Sequence, residues 1–293
     1  MIGSFCFAAN RVEFKVVCQI HQSPSRTALK QVHVGLITTH ASRNTIHAMI
    51  YRVDPALFLK YPGYVRGLVI ARRVINIESP IDEVARMLIG AQTAIRQRSD
   101  LEPASAHPNI AAWREAYRAF GARPTEYPSS IEAMVKRVRR NGAPASPGAG
   151  LPYINTLAAL CNSVSLRYLT PIGGHAIDLM QPEGEMALGF AQGAEDFTPL
   201  GSTTLEHPEL GEVIYTYNEA TVLCRRWTWR QAEFSKLQRT TTAVVINVDG
   251  LPPVIRADVA MISDDLATLV GLYCGGAATE VKMLSEETPA AEI

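Results

Sequence analysis

Residues 212–231 read Glu-Val-Ile-Tyr-Thr-Tyr-Asn-Glu-Ala-Thr-Val-Leu-Cys-Arg-Arg-Trp-Thr-Trp-Arg-Gln, and this stretch decides the β-rich half of the fold. Glu212–Tyr217 and Thr221–Thr228 are both strand-like, and Asn218–Ala220 between them has the composition of a tight turn. The stretch therefore predicts an antiparallel hairpin.

The second half of this hairpin concentrates arginine and tryptophan. If Val222–Gln231 is extended, alternate side chains share a face. One face then carries Arg225, Trp227, Trp229 and Gln231, and the other carries Arg226, Thr228 and Arg230. Guanidinium groups beside indoles suit stacking on flat rings and binding phosphate or carboxylate, which points to nucleic acid or an aminoacyl ligand. An edge strand with paired arginines and core tryptophans is the alternative, and both remain open.

The pattern outside this hairpin predicts the fold class. Helices are expected over residues 81–98, 108–120, 128–140, 157–169 and 256–273, and strands over 48–53, 66–74, 185–191 and 243–249. Helices mostly precede strands, which favours an α+β fold with a largely antiparallel sheet flanked by helices. We expect residues 1–46 to be a poorly ordered N-terminal extension, 47–275 to form the domain with its core at 120–251, and 276–293 to be an acidic flexible tail.

Composition limits the function classes. The formal net charge is zero, so basic surfaces must be local. Five scattered cysteines form no Cys-x-x-Cys pair, which favours reduced thiols and a cytoplasmic protein. No apolar stretch is long enough for a membrane span. Because Gly-x-Gly-x-x-Gly, Walker, Gly-x-Ser-x-Gly and His-Glu-x-x-His motifs are absent, we predict no nucleotide-driven reaction, no cofactor and no metal.

Two clusters could carry chemistry. Four cations crowd the end of the 128–140 helix: Lys136, Arg137, Arg139 and Arg140. They complement the helix dipole, and they equally suit RNA phosphates. The second cluster is His175, which follows Gly173 and Gly174 and precedes Asp178 by three residues. A histidine near a carboxylate can be oriented for proton transfer, while a turn histidine bonded to local backbone is the structural alternative.

Several segments recur in the order of a known domain. Residues 123–130 read Arg-Pro-Thr-Glu-Tyr-Pro-Ser-Ser, Gly173-Gly174 follows, and Cys-Arg-Arg-Trp-Thr-Trp-Arg-Gln ends at Gln231. From about Tyr51 to Leu251 the chain resembles the B3/B4 domain of the bacterial phenylalanyl-tRNA synthetase beta subunit. It resembles free-standing B3/B4 proteins more closely still. Only the B3/B4 portion of a synthetase is accounted for, so a complete synthetase is not expected.

The resemblance implies an α+β module with an editing site that hydrolyses tyrosine wrongly esterified to the phenylalanine tRNA. The family's pocket histidine, in a His-Ala-Phe-Asp-Leu segment, matches His175. The family's Gly-Gly-Glu segment, which reads the mischarged amino acid, corresponds to Thr228-Trp229-Arg230, so its glutamate is absent here. An arginine in that place favours an anionic ligand group.

Three functions follow as hypotheses. The first is a stand-alone hydrolase of mischarged aminoacyl-tRNA or a related aminoacyl ester, in which His175 orients substrate or water. The second is a non-enzymatic module that binds the phosphates and bases of tRNA or other RNA through the four helix cations and through Arg225–Arg230. The third is a pocket for a free amino acid or similar molecule without nucleic acid. The predicted substrate-binding residues are Asn162, Gly173, Gly174, Asp178, Arg225, Trp227, Trp229, Arg230 and Gln231.

Overall fold

Two β-sheets form the framework of the protein. The computed structural model describes residues 48–140 and 150–293, so the predicted extension over 1–46 lies outside the described residues. Ten strands occur within those ranges: β1 Ile50–Val53, β2 Val65–Arg72, β3 Ile172–Ala176, β4 Glu185–Phe190, β5 Val213–Tyr217, β6 Thr221–Arg225, β7 Arg230–Gln231, β8 Ala243–Gly250, β9 Ala278–Leu284 and β10 Ala290–Glu292.

Six α-helices complete the described fold: α1 Pro55–Lys60, α2 Asp82–Gln97, α3 Pro108–Ala119, α4 Ser130–Arg140, α5 Thr156–Tyr168 and α6 Arg256–Tyr273. Side-chain caps define two of their starts, since the Asp54 carboxylate accepts the Ala56 N–H and Asn155 accepts the Ala158 N–H, each at 2.9 Å. In the part of the chain described, no helix is both long and apolar enough to cross a membrane.

The sheets confirm the predicted fold class. The first sheet has the order β10-β1-β4-β5-β6-β7, and the second has the order β3-β8-β2-β9. Among these pairs β1 and β4 are parallel, while the others are antiparallel, including the predicted hairpin of β5 and β6. The fold is therefore α+β with largely antiparallel sheets flanked by helices, as the sequence predicts.

The buried side chains form two main cores. One contains residues of both sheets, such as Tyr51, Leu68 and Leu188, together with Trp113 of α3 and Val135 of α4. The other joins the opposite face of the second sheet to α2, α5 and α6. Because a strand alternates its faces, Val245 faces the first core whereas Val244 and Ile246 face the second.

The stretch Val222–Gln231 is not one extended strand, which corrects the face assignment made from the sequence. Strand β6 ends at Arg225, which pairs with Arg230 of β7, so the four residues between them make a turn. Arg226 and Trp227 have left-handed backbones, with φ of 45° and 61°. Side chains do not alternate between two faces here, because the backbone is not continuous β-strand across this turn.

The C-terminal residues also differ from the prediction of a flexible tail. Strand β9 pairs with β2 along seven residue positions, and β10 pairs with β1. Leu284 is fully buried, and the Ile293 N–H donates to Met49 O at 2.7 Å. The acidic residues led to the wrong prediction because strand edges tolerate charged side chains on a solvent-facing side.

A charged network is buried between the sheets. The Arg66 guanidinium on β2 binds the Asp249 carboxylate of β8, with Nη2 to Oδ1 at 2.6 Å, and their side chains are 0% and 3% exposed. Arg66 also donates to the hydroxyls of Tyr51 and Tyr215, while Tyr64 and Tyr215 donate to Asp249. Burial lowers the Arg66 pKa, but Asp249 and the tyrosines together raise it well above its usual value. The Arg66 guanidinium therefore keeps its positive charge inside the core.

We predict that Asp249→Asn lowers the free energy of unfolding by about 3–5 kcal/mol, because it leaves the buried guanidinium without its counter-charge. Urea denaturation measures the loss. Glu83→Gln is the control, since it removes the exposed Glu83–Arg86 pair and should cost no more than about 1 kcal/mol. Equal effects of the two substitutions would contradict the structural role given to Asp249.

Candidate functional site

His175 lies on β3, an edge strand of the second sheet, and its side chain is buried. The imidazole faces the first core, with its ring centroid 5.6 Å from that of Tyr215. Its Nδ1 lies 2.9 Å from Ser235 Oγ, and within the described residues this is the only hydrogen bond of the ring. Ser235 thus fixes the orientation of the imidazole, and Nε2 has no hydrogen-bond partner among the described residues.

The protonation state of His175 follows from its surroundings. Burial, with a further contribution from the Arg66 charge, lowers the His175 pKa to about 3. The ring is therefore neutral at physiological pH. A neutral imidazole can hold a water molecule or a substrate group by hydrogen bonding, but it does not supply a positive charge.

Gln231 holds the segment that orients His175. Its Nε2 donates to Gly174 O at 2.8 Å and to Ser235 O at 3.0 Å, and Ser235 O also accepts the Ala176 N–H. Gln231 was predicted to bind substrate. In the structure its amide nitrogen donates hydrogen bonds to backbone carbonyls, so Gln231 positions Ser235.

The open space beside Gly173, termed the recess, lies on the face of β3 that carries His175. Gly173 is exposed and pairs directly with Asn247 across the ladder, so both positions share the face that carries His175. A Cβ added at Gly173 would meet no atom within 4 Å. Asn247 is only 2% exposed, and its Oδ1 is buried with no hydrogen-bond partner in the described chain. Open space at Gly173 and an unsatisfied acceptor on Asn247 therefore occur at paired positions on one strand face.

Gly174 has a packing role. It lies on the opposite face of β3, where a Cβ would come within 3.0 Å of the Leu237 side chain. The two glycines that the sequence placed before His175 therefore act differently. Gly173 leaves space on the recess side, and Gly174 permits close approach of the 232–237 segment.

Asp178 does not pair with His175, a pairing that was one of the two alternatives left open by the sequence. Its Oδ1 accepts the backbone N–H groups of Thr242 at 2.9 Å and Ala243 at 3.0 Å, as well as the Thr242 hydroxyl. Three donors at the start of β8 therefore occupy the carboxylate oxygen. Spacing of three residues did not predict a contact because the chain leaves β3 before Asp178.

Asn162 also lies away from His175. It is half-buried on α5, whose buried residues Leu160, Cys161 and Val164 pack in the core on the helical side of the second sheet. His175 faces the other side of that sheet. The structure therefore does not bring Asn162 to the recess.

Arg225 and Trp227 are structural. The Arg225 guanidinium binds Glu212 through two hydrogen bonds of 2.7 and 3.0 Å and also contacts Glu206. Trp227 is completely buried and makes edge-to-face contacts with Tyr61, Tyr64 and Trp113. For these two residues the alternative interpretation, with paired arginines and core tryptophans, is correct.

The two arginine-containing motifs pack against each other. The guanidinium of Arg226 lies 3.7 Å from the Tyr127 ring centroid and 4.7 Å from that of Trp229. The hydroxyl of Thr228 accepts the Ser130 N–H at 3.4 Å. Of the predicted ligand residues in this segment, Arg230 remains 41% exposed and Trp229 is half-buried.

The four cations of α4 have different surroundings. Lys136 pairs with Glu132 at 2.7 Å, and Arg137 donates to Gly150 O at 2.9 Å. Arg139 donates to the last carbonyls of α2 and to Glu102. Arg140 is exposed and makes no ion pair among the described residues. Three of the four cations therefore have partners in the described part of the chain, and the phosphate role of the cluster stays a prediction.

Sequence reasoning missed Asn247, Ser235 and the Arg66–Asp249 pair. Asn247 and Asp249 lie two residues apart in the apolar run 243–249, which places both on one face of a strand. Polar residues at that spacing in a buried strand were a usable signal. Ser235 had none, because its contact with His175 spans 60 residues of sequence.

The molecule is an α+β domain of two sheets. On an edge strand of the second sheet, a buried neutral histidine lies beside the open space at Gly173. A sequence model of the B3/4 domain family matches residues 112–264, just over half of the chain. The chain belongs to the B3/4 domain family, which confirms the resemblance noted from its motifs.

The comparison with solved structures gives a distant likeness. The chain is similar to an N-terminal fragment of the phenylalanyl-tRNA synthetase beta subunit from Pyrococcus horikoshii, with 14% identity and a TM-score of 0.36. The match covers 80% of this chain and 50% of the fragment, so this chain spans about half of that fragment's length. No curated protein matches the sequence.

We predict that His175 makes the protein less stable in mild acid. Because the folded state holds the His175 pKa near 3, below the ordinary value of 6.5, protonation favours the unfolded chain as pH falls below about 6.5. Between pH 7 and pH 4.5 this residue should remove about 2 kcal/mol from the free energy of unfolding. Urea denaturation at both pH values, compared with His175→Asn, measures the contribution. An identical pH dependence in the variant would contradict the lowered pKa.

Proposed function

We propose that this protein binds aminoacylated tRNA and hydrolyses the aminoacyl ester in trans. The observation that carries the proposal is the recess beside Gly173, where open space, an unsatisfied Asn247 acceptor and a neutral His175 share one strand face. Membership in the B3/4 family and the match of His175 to the family's pocket histidine support the same assignment.

The recess suits the amino-acid end of such a substrate. Asn247 Oδ1 can accept a hydrogen bond from an ammonium or hydroxyl group, and a buried acceptor without a partner gains most from such a donor. The missing side chain at Gly173 leaves space for the group to enter. A ligand there would face an amide and an imidazole, both of which are uncharged.

The reaction is an ester hydrolysis. The oxygen of water adds to the ester carbonyl carbon, the bond to the terminal ribose oxygen breaks, and that oxygen receives the water proton. The products are a free amino acid and tRNA. His175 contributes by holding the water or the substrate, because a ring with a pKa near 3 is a weak base.

We expect no preference for tyrosine. Thr228–Arg230 contains no carboxylate, and Arg230, in the place of the family's glutamate, lies 3.8 Å from Glu206 with 41% of its side chain exposed. A guanidinium there suits an anionic group on the substrate better than a phenol. The identity of the amino acid is therefore expected to differ from that of the synthetase domain.

A second candidate is a site for a free amino acid without nucleic acid. The same recess favours it, since an ammonium group fits Asn247 whether or not a tRNA follows. Thermal denaturation with free amino acids tests it, because a ligand of the folded state raises the melting temperature by mass action. A rise with amino acids, combined with no tRNA complex at low salt, would favour this candidate over the first.

We predict that Gly173→Val slows hydrolysis of the best substrate at least tenfold, because its methyl groups occupy the recess. A panel of radiolabelled mischarged tRNAs provides the assay. Gly90→Val is the matched control, since a Cβ at Gly90 on α2 also meets nothing within 4 Å but lies away from β3. It should leave the rate unchanged.

Hydrolysis by the wild type no faster than the uncatalysed reaction across the panel would refute the enzymatic proposal. A retardation assay with uncharged tRNA then decides whether the protein is a binding module. Phosphate contacts predict a complex that weakens steeply as salt is added. Absence of a complex at low salt excludes both RNA functions.

A further inference from the structure

A positively charged groove lies at the carboxyl ends of α2 and α4. Its volume is about 830 Å³, and its cationic walls are Arg96, Lys136, Arg139 and Arg140. The short 3₁₀ turns at Ser99–Leu101 and Ala104–Ala106 lie on its remaining side. A neighbouring cavity of about 390 Å³ is also lined by Lys136 and Arg140.

The guanidinium of Arg96 indicates which kind of ligand the groove binds. All three of its guanidinium nitrogens are buried, and none has a hydrogen-bond partner within the described chain. A guanidinium carries five N–H donors, and buried donors need hydrogen-bond acceptors. A buried cation without a partner destabilises the folded state until an anion approaches it.

Helix capping accounts for one of the other cations but not for Arg96. Arg139 donates to Ile95 O at 3.2 Å and Arg98 O at 2.8 Å, which satisfies the last carbonyls of α2. Its ion pair with Glu102 leaves that carboxylate 80% exposed. Glu102 is the one acid among the described residues that line the groove, and it contacts Arg139, not Arg96.

The remaining cations leave donors for a ligand. Lys136 pairs with Glu132 and remains 38% exposed at its side chain, and Arg140 is exposed. Guanidinium groups bind the oxygens of a phosphate group in pairs, and an ammonium adds a flexible donor. The groove therefore offers three donor side chains, two guanidinium groups and one ammonium group, to one polyoxygenated anion.

We propose that this groove binds a phosphate group, with Arg96 as its central ligand. The phosphate belongs either to a polynucleotide backbone or to a small phosphorylated molecule, and both present the same oxygens to the guanidinium. The proposal does not rest on ester hydrolysis at the Gly173 recess, because the two sites share no residue.

The test is thermal denaturation of the full chain in potassium phosphate, with potassium chloride at equal ionic strength as the reference. At 10 mM, a millimolar phosphate site should raise the melting temperature by about 2–4 °C. Arg96→Gln should abolish the rise, and exposed Arg140→Gln should reduce it without threatening the fold. Arg86→Gln, on the same helix as Arg96 but outside the groove, should retain the full rise.

Arg96→Gln provides a second, independent readout. Without phosphate, the variant should melt no lower than the wild type, because it removes an unpaired buried charge. The proposal is overturned if phosphate raises the wild-type melting temperature no more than chloride does. A full rise in Arg96→Gln would overturn it as well.

A tRNA arm identifies the source of the phosphate. If uncharged tRNA competes with inorganic phosphate, and Arg96→Gln weakens the tRNA complex at least tenfold, the groove holds a polynucleotide backbone. If tRNA does not compete while the phosphate effect depends on Arg96, the ligand is a small phosphorylated molecule. Both results support the phosphate site, and neither depends on hydrolysis.

Discussion

The ion pair of Arg66 and Asp249 is the constraint on which the rest of the fold depends. It joins β2 to β8 within the second sheet, and its tyrosine partners on β1 and β5 join that sheet to the first. An ionised pair removed from water is stable only when nearly all of its donors and acceptors are satisfied. Here the three hydroxyls of Tyr51, Tyr64 and Tyr215 complete the set, and this requirement fixes how the two sheets face each other.

The same network sets the chemistry of the recess. The positive charge of Arg66 helps to keep His175 neutral, so the imidazole acts through hydrogen bonds. Ser235 and Gln231 fix its orientation, and Asn247 adds an amide on the same face. The groups on this part of the strand face are therefore uncharged hydrogen-bonding groups. The arginine-rich motif contributes by packing, since Arg226 and Trp227 hold the β6–β7 turn against α3 and the segment before α4.

The sequence predicted the described elements well where their signals were local. Helices α2 to α6 appeared from apolar spacing, and the β5–β6 hairpin appeared from its turn residues. Errors arose where long-range contacts decide. Strand β9 forms because β2 offers it an edge, and Arg226 turns left-handed because Trp227 enters a core built from distant residues. For the candidate site, the sequence named His175 and Gly173, and their role in binding or catalysis stays a prediction. Asn247, Ser235 and Arg96 were not named, because pairing across strands and helix ends determines which of these groups lacks a partner.

The pairing of β10 with β1 has a consequence for how this domain can be carried. Ile293 is hydrogen-bonded to Met49, so these two positions lie side by side at one edge of the first sheet. A domain with adjacent ends can be inserted into a surface loop of a host polypeptide while all of its strands keep their neighbours. The same adjacency permits circular permutation through a short bridging peptide. The same strand order can therefore form from a chain in which the segments follow one another in a different sequence.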